Sequence, residues 1–251
     1  MLATVGGIGF TVRSLVTEPP VLPVSIGIAA AYLGLLLAGV FVLRLRMFAD
    51  ALIHGPSDAA GVALTFDDGP DPVHTRAVLD VLDAYEARAT FFVIGHKAEK
   101  HPEVVKEILA RGHAVGVHGF AHDRLFSLRG GRRVRADLER AIRVLETITD
   151  QTPTLFRPPI GHTNPTIARI ADQLDLTMIG WSVRARDGLA STKPADVVLR
   201  ITRGLEDGAI VLLHDAAERG HREPACVKAL PEILEKIAGQ NLRVVPLAAW
   251  V

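Results

Sequence analysis

The apolar positions divide the chain into two parts. Residues 21–43 contain no charged side chain and form one continuous apolar stretch. As a helix with a rise of about 1.5 Å per residue, this stretch spans roughly 34 Å, enough to cross a bilayer core of about 30 Å. Beyond residue 60, short apolar runs alternate with amphipathic stretches. This pattern predicts a single transmembrane helix at residues 21–43 and a separate domain at residues 61–251.

The alternation after residue 60 is typical of an α/β fold. The amphipathic stretches place apolar residues at steps of three and four, as on one face of a helix. Strands that alternate with helices indicate a parallel sheet, and about seven such units favour a closed barrel over an open sheet. Strands are predicted at 62–66, 90–94, 114–117, 154–156, 176–181, 209–213 and 242–247, and the clearest helices at 102–111 and 134–149.

Two short segments flank the predicted transmembrane helix. Residues 1–20 are an N-terminal segment interrupted by Arg13, and residues 44–60 form a linker with a Gly-Pro-Ser-Asp break. Arg44 and Arg46 directly follow the helix and favour a cytoplasmic domain by the positive-inside rule, although only by about one charge. So short a linker reaches at most roughly 60 Å, so the domain should work close to the membrane.

Composition excludes several classes of protein. Lys+Arg and Asp+Glu are equal at 28 each, so no basic field attracts nucleic acid, and we expect no nucleic-acid partner. The single cysteine, Cys226, rules out an internal disulfide and a cysteine-rich zinc motif. Neither a Gly-x-Gly-x-x-Gly pattern nor a phosphate-binding loop follows a predicted strand, which argues against a nucleotide-binding enzyme.

Polar residues gather where the predicted strands end, and in parallel α/β folds the chemistry lies at these ends. Two adjacent carboxylates in one low-dielectric site repel each other and call for a nearby cation. One Asp and two His would supply three ligands and leave a position for water, as in catalytic zinc sites, while a second Asp acts on that water as a base. In chain order, the strand ends carry Asp67-Asp68, His118 and His122, Arg157, Asp187, and His214-Asp215.

These residues resemble the motifs of the polysaccharide deacetylases of carbohydrate esterase family 4, also called the NodB homology domain. The segment TFDDGP at 65–70 is similar to the first motif, residues 118–122 to the second, RPP at 157–159 to the third and LLHD at 212–215 to the fifth. The fourth motif, at 181–187, matches less well. The resemblance covers residues 61–251 and implies a distorted (β/α) barrel of seven or eight strands.

The resemblance also implies a role for each catalytic residue. Asp67 would be the base, and Asp68 would bind one divalent metal ion, expected to be Zn²⁺, together with His118 and His122. Further roles follow for three residues: Arg157 would orient the base, His214 would be the general acid, and Asp187 would tune the charge state of that histidine.

Substrate contacts are implied by the same motifs. Pro159 and Ile160 would place a backbone N–H at the oxyanion, Leu213 would line the pocket for the acetyl methyl group, and Trp181 would flank the sugar. Three positions depart from the family pattern and bear on the substrate class more than on the chemistry. They are Gly119, where Ser or Thr is usual, Ile160, where an aromatic residue is common, and Gly188, where Trp is usual.

The predicted function is the metal-dependent hydrolysis of acetamide groups on N-acetylated sugars of a polysaccharide or oligosaccharide. Expected substrates are peptidoglycan, a chitin-like polymer or a lipid-linked glycan. Two alternatives stay open: a non-catalytic polysaccharide-binding barrel, and a zinc amidohydrolase that acts on a non-sugar amide. The protein is expected to be a single-pass membrane protein with its catalytic domain on the extracytoplasmic side, because most members of the family act on exported polymers.

Overall fold

A computed structural model describes residues 22–251. The predicted N-terminal segment, residues 1–20, and residue 21 lie outside the described residues. The first element is helix α1, Leu22–Phe41, whose only buried residue is Gly39. With a mean hydropathy of 2.2, α1 is long and apolar enough to cross a membrane, a test that a signal sequence also passes.

Seven parallel strands form the centre of the domain, in the order β5-β4-β3-β2-β1-β7-β6. Strand β1 lies between β2 and β7 and is buried along its whole length, as expected of a strand covered on both faces. The sheet curls into a half-barrel, which confirms the predicted distorted (β/α) barrel. The strands are β1 Ala63–Asp67, β2 Thr90–Val93, β3 Ala114–Val117, β4 Leu155–Phe156, β5 Thr177–Met178, β6 Val183–Arg184 and β7 Ile210–His214.

The helices follow α1 in alternation with the strands. Helix α5 shows why they form: its residues 134, 138, 141, 145 and 148 are buried, so steps of four and three face the sheet. Asn164 caps α6 by accepting a hydrogen bond from Ile167 N at 2.8 Å. The remaining helices are α2 His74–Ala84, α3 Gly95–Lys100, α4 Pro102–Ala110, α5 Gly131–Thr149, α6 Pro165–Gln173, α7 Pro194–Thr202 and α8 Ala225–Gly239.

Two predicted strands differ from the structure. The run 176–181 contains only β5, Thr177–Met178, because the chain leaves this strand before Gly180, whose N–H bonds to Leu52 O at 2.8 Å; β6, Val183–Arg184, lies beyond the end of the run. The run 242–247 makes a single parallel bridge between Val62 and Val244, and a 3₁₀ turn starts at Leu247. Pro246 has no N–H to continue a ladder, which explains the short pairing.

The predicted linker, residues 44–60, packs against the sheet. Leu52 forms a parallel bridge with Ile179, and His54 forms an antiparallel bridge with Ala209. Leu43, just before the linker, is buried in the main core. The end of α1 is therefore joined to the domain by a packed segment, while the domain boundaries themselves stay predictions.

Candidate active site

The carboxyl ends of β1, β3 and β7 meet at a cleft of about 410 Å³. Because parallel strands all end at the same edge of a sheet, residues far apart in sequence converge there. The cleft is lined by the predicted residues Asp67, Asp68, His118, His122, Ile160, Trp181 and His214, and also by Arg124, Gly161, Arg184, Arg186, Gly188, Leu189, Leu212 and Glu218.

Asp68, His118 and His122 form a group that could hold a metal ion. One ligand atom from each lies within 4.8 Å of the other two, and all three residues are buried. Asp68 Oδ1 lies 3.2 Å from His122 Nε2 and 3.6 Å from His118 Nε2. This carboxylate oxygen is buried without a hydrogen-bond partner, which is costly unless a cation satisfies it. The donor set, one carboxylate and two imidazoles, fits Zn²⁺ with an open position.

The surroundings of the two histidines suit metal binding. Burial, and then the neighbouring His118, lower the pKa of His122 to about 4, so its ring is neutral at pH 7. His118 Nδ1 lies 2.8 Å from the backbone oxygen of Arg157, which leaves Nε2 free to face Asp68. Glu218 Oε1 lies 3.5 Å from His122 Nδ1 on the side away from Asp68 Oδ1. The contact of His118 is of the kind that fixes the tautomer and orientation of a metal-binding histidine, whereas His122 Nδ1 makes no hydrogen bond within residues 22–251 and faces the Glu218 carboxylate.

The backbone is strained at this group. Asp68, His122 and Ile160 have φ values of 74°, 48° and 52°, in the left-handed region that side chains with a Cβ seldom adopt. Such strain gathers at functional sites. Gly119 also has a positive φ, 75°, and this conformation favours glycine over the Ser or Thr usual at that position.

Asp67 is fixed by Arg157. Its Oδ1 accepts a hydrogen bond of 2.7 Å from Arg157 Nη1, and its Oδ2 lies 3.7 Å from His118 Nε2. Arg157 is fully buried and also donates to Thr65 Oγ1 and to Gly180 O, both at 2.8 Å. The guanidinium lies over the Phe92 ring at 4.2 Å from its centre. Arg157 therefore cannot move away from Asp67 without losing all of these contacts.

His214 is paired with Asp187 at the end of β7. Its Nδ1 lies 3.0 Å from Asp187 Oδ1, and its backbone N–H donates to Asp187 Oδ2 at 2.7 Å. Burial alone would lower the pKa of His214, but the charge and hydrogen bond of Asp187 outweigh it and raise the pKa to about 10. The imidazole is therefore protonated at neutral pH. Gly188 lies against the ring, so no side chain covers it there.

Two of the predicted substrate contacts lie elsewhere. Leu213 is in the main core and fully buried, and Leu212 lines the cleft instead. Successive side chains on a strand point to opposite faces, so Leu212 shares the face of His214 and Leu213 does not. Pro159 is buried beside Gly119 and is not among the residues that line the cleft. Ile160 and Trp181 do line it, as predicted.

Three polar residues of the site, Lys97, Glu218 and Arg124, belong to no motif recognised in the sequence. Lys97, on α3, donates to Asp68 O and to Ala217 O, both at 2.7 Å, and so ties the first motif to the loop after β7. Glu218 lies in that loop, and its two carboxylate oxygens share the Nε–H of Arg124, each at 2.9 Å. These residues stand outside strand ends and motifs, so only the folded chain shows their contacts.

Asp215 explains why the first motif has a glycine at position 69. It is fully buried, and burial raises its pKa to about 7, while Thr75 Oγ1 donates a hydrogen bond to it. A Cβ on Gly69 would come within 2.2 Å of Asp215 Oδ2. Only glycine therefore fits at position 69 of TFDDGP.

Comparison with known proteins identifies the family of the chain. The family model for polysaccharide deacetylases matches residues 54–179, about half of the chain. A peptidoglycan-N-acetylglucosamine deacetylase of Bacillus cereus is 34% identical over 196 residues, which is 77% of this chain and 89% of that protein. The chain belongs to the polysaccharide deacetylase family, carbohydrate esterase family 4.

Two further relatives extend the comparison. A chitooligosaccharide deacetylase of Azorhizobium caulinodans is 34% identical over 62% of this chain and 74% of that protein. The solved structure of a peptidoglycan N-acetylglucosamine deacetylase superposes with a TM-score of 0.74 and 29% identity over 79% of this chain and 91% of that chain. The fold predicted from the sequence is thus confirmed by solved members of the family.

Proposed function

We propose that this protein is a zinc-dependent deacetylase that hydrolyses the acetamide groups of N-acetylated sugars. The observation that carries the proposal is the placement of an unpartnered buried Asp68 Oδ1 between two histidines, with a second carboxylate and a charged imidazole on the same cleft. Asp68, His118 and His122 would hold the ion. When bound, such an ion supplies a Lewis acid for the acetamide carbonyl and for water.

Asp67 is the proposed base. Its Oδ1 is engaged by Arg157, and its Oδ2 remains free of hydrogen bonds to the protein in residues 22–251. This oxygen takes a proton from the attacking water as the water oxygen bonds to the acetyl carbon. Arg157 keeps the carboxylate aimed at the cleft.

His214 is the proposed acid. Its Nδ1 is held by Asp187, which leaves Nε2 as the nitrogen that can meet the substrate. It donates a proton to the sugar nitrogen as the C–N bond breaks, so acetate and a free amine leave. The charge of Asp187 thus favours the protonated form of the imidazole, which a general acid requires.

When water adds to the acetyl carbon, the former carbonyl oxygen becomes an oxyanion. We expect this oxyanion to accept a hydrogen bond from Ile160 N–H. Ile160 is 42% exposed and lines the cleft, and its strained conformation supports a functional role. Leu212 is the proposed contact for the acetyl methyl group, and Trp181 forms one wall for the sugar.

The proposed substrate class is inferred from the substrates of the relatives. One relative acts on the N-acetylglucosamine of peptidoglycan and another on chitooligosaccharides, so the proposed substrates are N-acetylglucosamine glycans. Helix α1 is the proposed membrane anchor, with the catalytic domain outside the cytoplasm, where such polymers occur. The complete set of candidate catalytic residues favours an enzyme over a non-catalytic barrel.

The proposal is tested by acetate release. The purified full chain, freed of metal and then supplied with zinc, should release acetate from chitotetraose or peptidoglycan fragments, and Asp67→Asn protein should not. Release from simple aryl acetamides but from neither glycan would favour the amidohydrolase alternative. No release from any of these substrates would contradict an enzymatic role.

A further inference from the structure

The carboxyl end of α1 packs against the wall of the catalytic cleft. Val40 O accepts a hydrogen bond of 3.1 Å from Thr163 N, and the Phe41 ring meets the His162 ring edge-on at 4.8 Å between centres. His162 and Thr163 directly follow Gly161, which lines the cleft. The carboxyl end of α1 therefore contacts the segment that directly follows the cleft-lining residues.

A second cavity, of about 270 Å³, lies at this junction. Four of its lining residues, Ile160, Gly161, Trp181 and Arg184, also line the catalytic cleft, so the two spaces share one wall. The rest of its lining comes from the end of α1 and from the segments beside the shared wall, namely Phe41, Val42, Leu43, Arg44, His162 and Ser182. The second cavity is therefore adjacent to the catalytic cleft, on the side of α1.

The charges in this cavity favour an anion. Arg44 and Arg184 line it, and neither side chain has an acidic partner among residues 22–251. Arg46, two residues after Arg44, is by contrast paired with Asp50 and does not line the cavity. Two unpaired guanidinium groups beside a narrow cavity match a phosphate, which arginine binds through several donors.

The loops around the cleft are also unusually apolar. Leu125, Leu128 and Leu189 are 50%, 70% and 55% exposed. Leu189 lines the cleft, and the 3₁₀ turn that ends at Leu128 is tied to Asn164, because Asn164 Nδ2 donates to Ser127 O. Exposed leucines next to an apolar helix suit contact with the acyl boundary of a membrane.

We infer that the substrate is an N-acetylated sugar joined through a phosphate to a membrane lipid. The sugar occupies the catalytic cleft, the phosphate lies between Arg44 and Arg184 in the second cavity, and the lipid chain runs along the end of α1 into the bilayer. This inference rests on the proposed deacetylase function and narrows its substrate. It also explains why the anchor is packed onto the active-site wall.

The test compares three probes on the zinc-loaded full chain in lipid nanodiscs. They are N-acetylglucosamine linked to farnesyl phosphate, soluble N-acetylglucosamine 1-phosphate, and neutral chitotetraose. We expect kcat/KM to be highest for the farnesyl-linked sugar. Arg44→Ala should lower the ratio of kcat/KM for this sugar to that for chitotetraose by about tenfold or more, as for a lost charged hydrogen bond.

The matched control is Arg46→Ala, which removes the same charge from the same helix end and should leave the ratio unchanged. Equal ratios in Arg44→Ala and wild type, or a soluble sugar phosphate as good as the farnesyl-linked sugar, would overturn the inference. Binding of farnesyl phosphate alone, followed by tryptophan fluorescence, should weaken in Arg44→Ala but not in Arg46→Ala. Failure of the deacetylase proposal is distinguishable, since no probe would then release acetate.

Discussion

Replacing Asp187 by Asn should move the alkaline limb of the pH–rate profile. In the wild type, Asp187 raises the pKa of His214 from 6.5 to about 10, so the acid keeps its proton throughout the neutral range. The carboxylates of Asp67 and Asp68 add to this effect, and a bound cation offsets their part. The wild-type alkaline limb should therefore lie above 6.5 and no higher than about 10.

Without the charge of Asp187, burial is left as the largest influence, and the pKa of His214 falls to its ordinary value or lower. At pH 8, a histidine with a pKa of about 6.5 is protonated in roughly 3% of molecules, so the rate should fall about 30-fold. At pH 6 the loss should be much smaller. The direction of the change in rate follows from the role of His214. A general acid loses its proton as the pH rises through its pKa, so the rate falls.

The assay is acetate release from chitotetraose between pH 5 and 10, with zinc content measured for each protein. Zinc content should be the same in wild type and Asp187→Asn, because Asp187 is not in the metal-binding group. An alkaline limb at the same pH in both proteins would refute the assignment of His214 as the acid. A uniform loss at every pH would point to a structural role for Asp187 instead.

Three further predictions concern residues around the catalytic pair. Arg157→Met should lower the free energy of unfolding in urea by about 3–5 kcal/mol, because it leaves a buried carboxylate unpaired, and an unchanged midpoint would contradict this. Glu218→Gln should weaken zinc affinity about 10- to 100-fold in a chelator competition by loosening His122, and equal affinity would show that Glu218 does not orient it. Leu212→Ala should raise KM for acetylated sugars, whereas Leu213→Ala should mainly lower the melting temperature. The reverse pattern would show that Leu213, and not Leu212, contacts the substrate.

The sequence predicted the centre of the fold better than its edges. Strand β3 is where the apolar run placed it, and β1 and β2 differ by one residue at their ends, because buried parallel strands read as short apolar runs. The run 176–181 contains β5 but not β6, since a two-residue strand that includes an arginine gives no apolar run. The run 242–247 was equally apolar, but Pro246 stops its pairing.

The candidate site could be predicted as far as residues stand in motifs at strand ends. The structure places Leu212 on the cleft and Leu213 in the core, because alternate residues of a strand share a face and Leu212 therefore points the same way as His214. Glu218 and Lys97 reach the site through contacts between distant segments. Their positions follow no periodic pattern, so nothing short of the folded chain could have identified them.

The most direct test of the account compares Asp67→Asn with Asp68→Asn. Each protein is loaded with zinc, its bound zinc is counted, and acetate release from chitotetraose is measured. Asp67→Asn should keep about one zinc per chain and lose roughly 10²- to 10⁴-fold in rate, as expected when a general base is removed. Asp68→Asn should lose zinc affinity, because its carboxylate oxygen lies between the two histidines. If Asp67→Asn loses the zinc and Asp68→Asn keeps it, the roles assigned to the two aspartates are wrong.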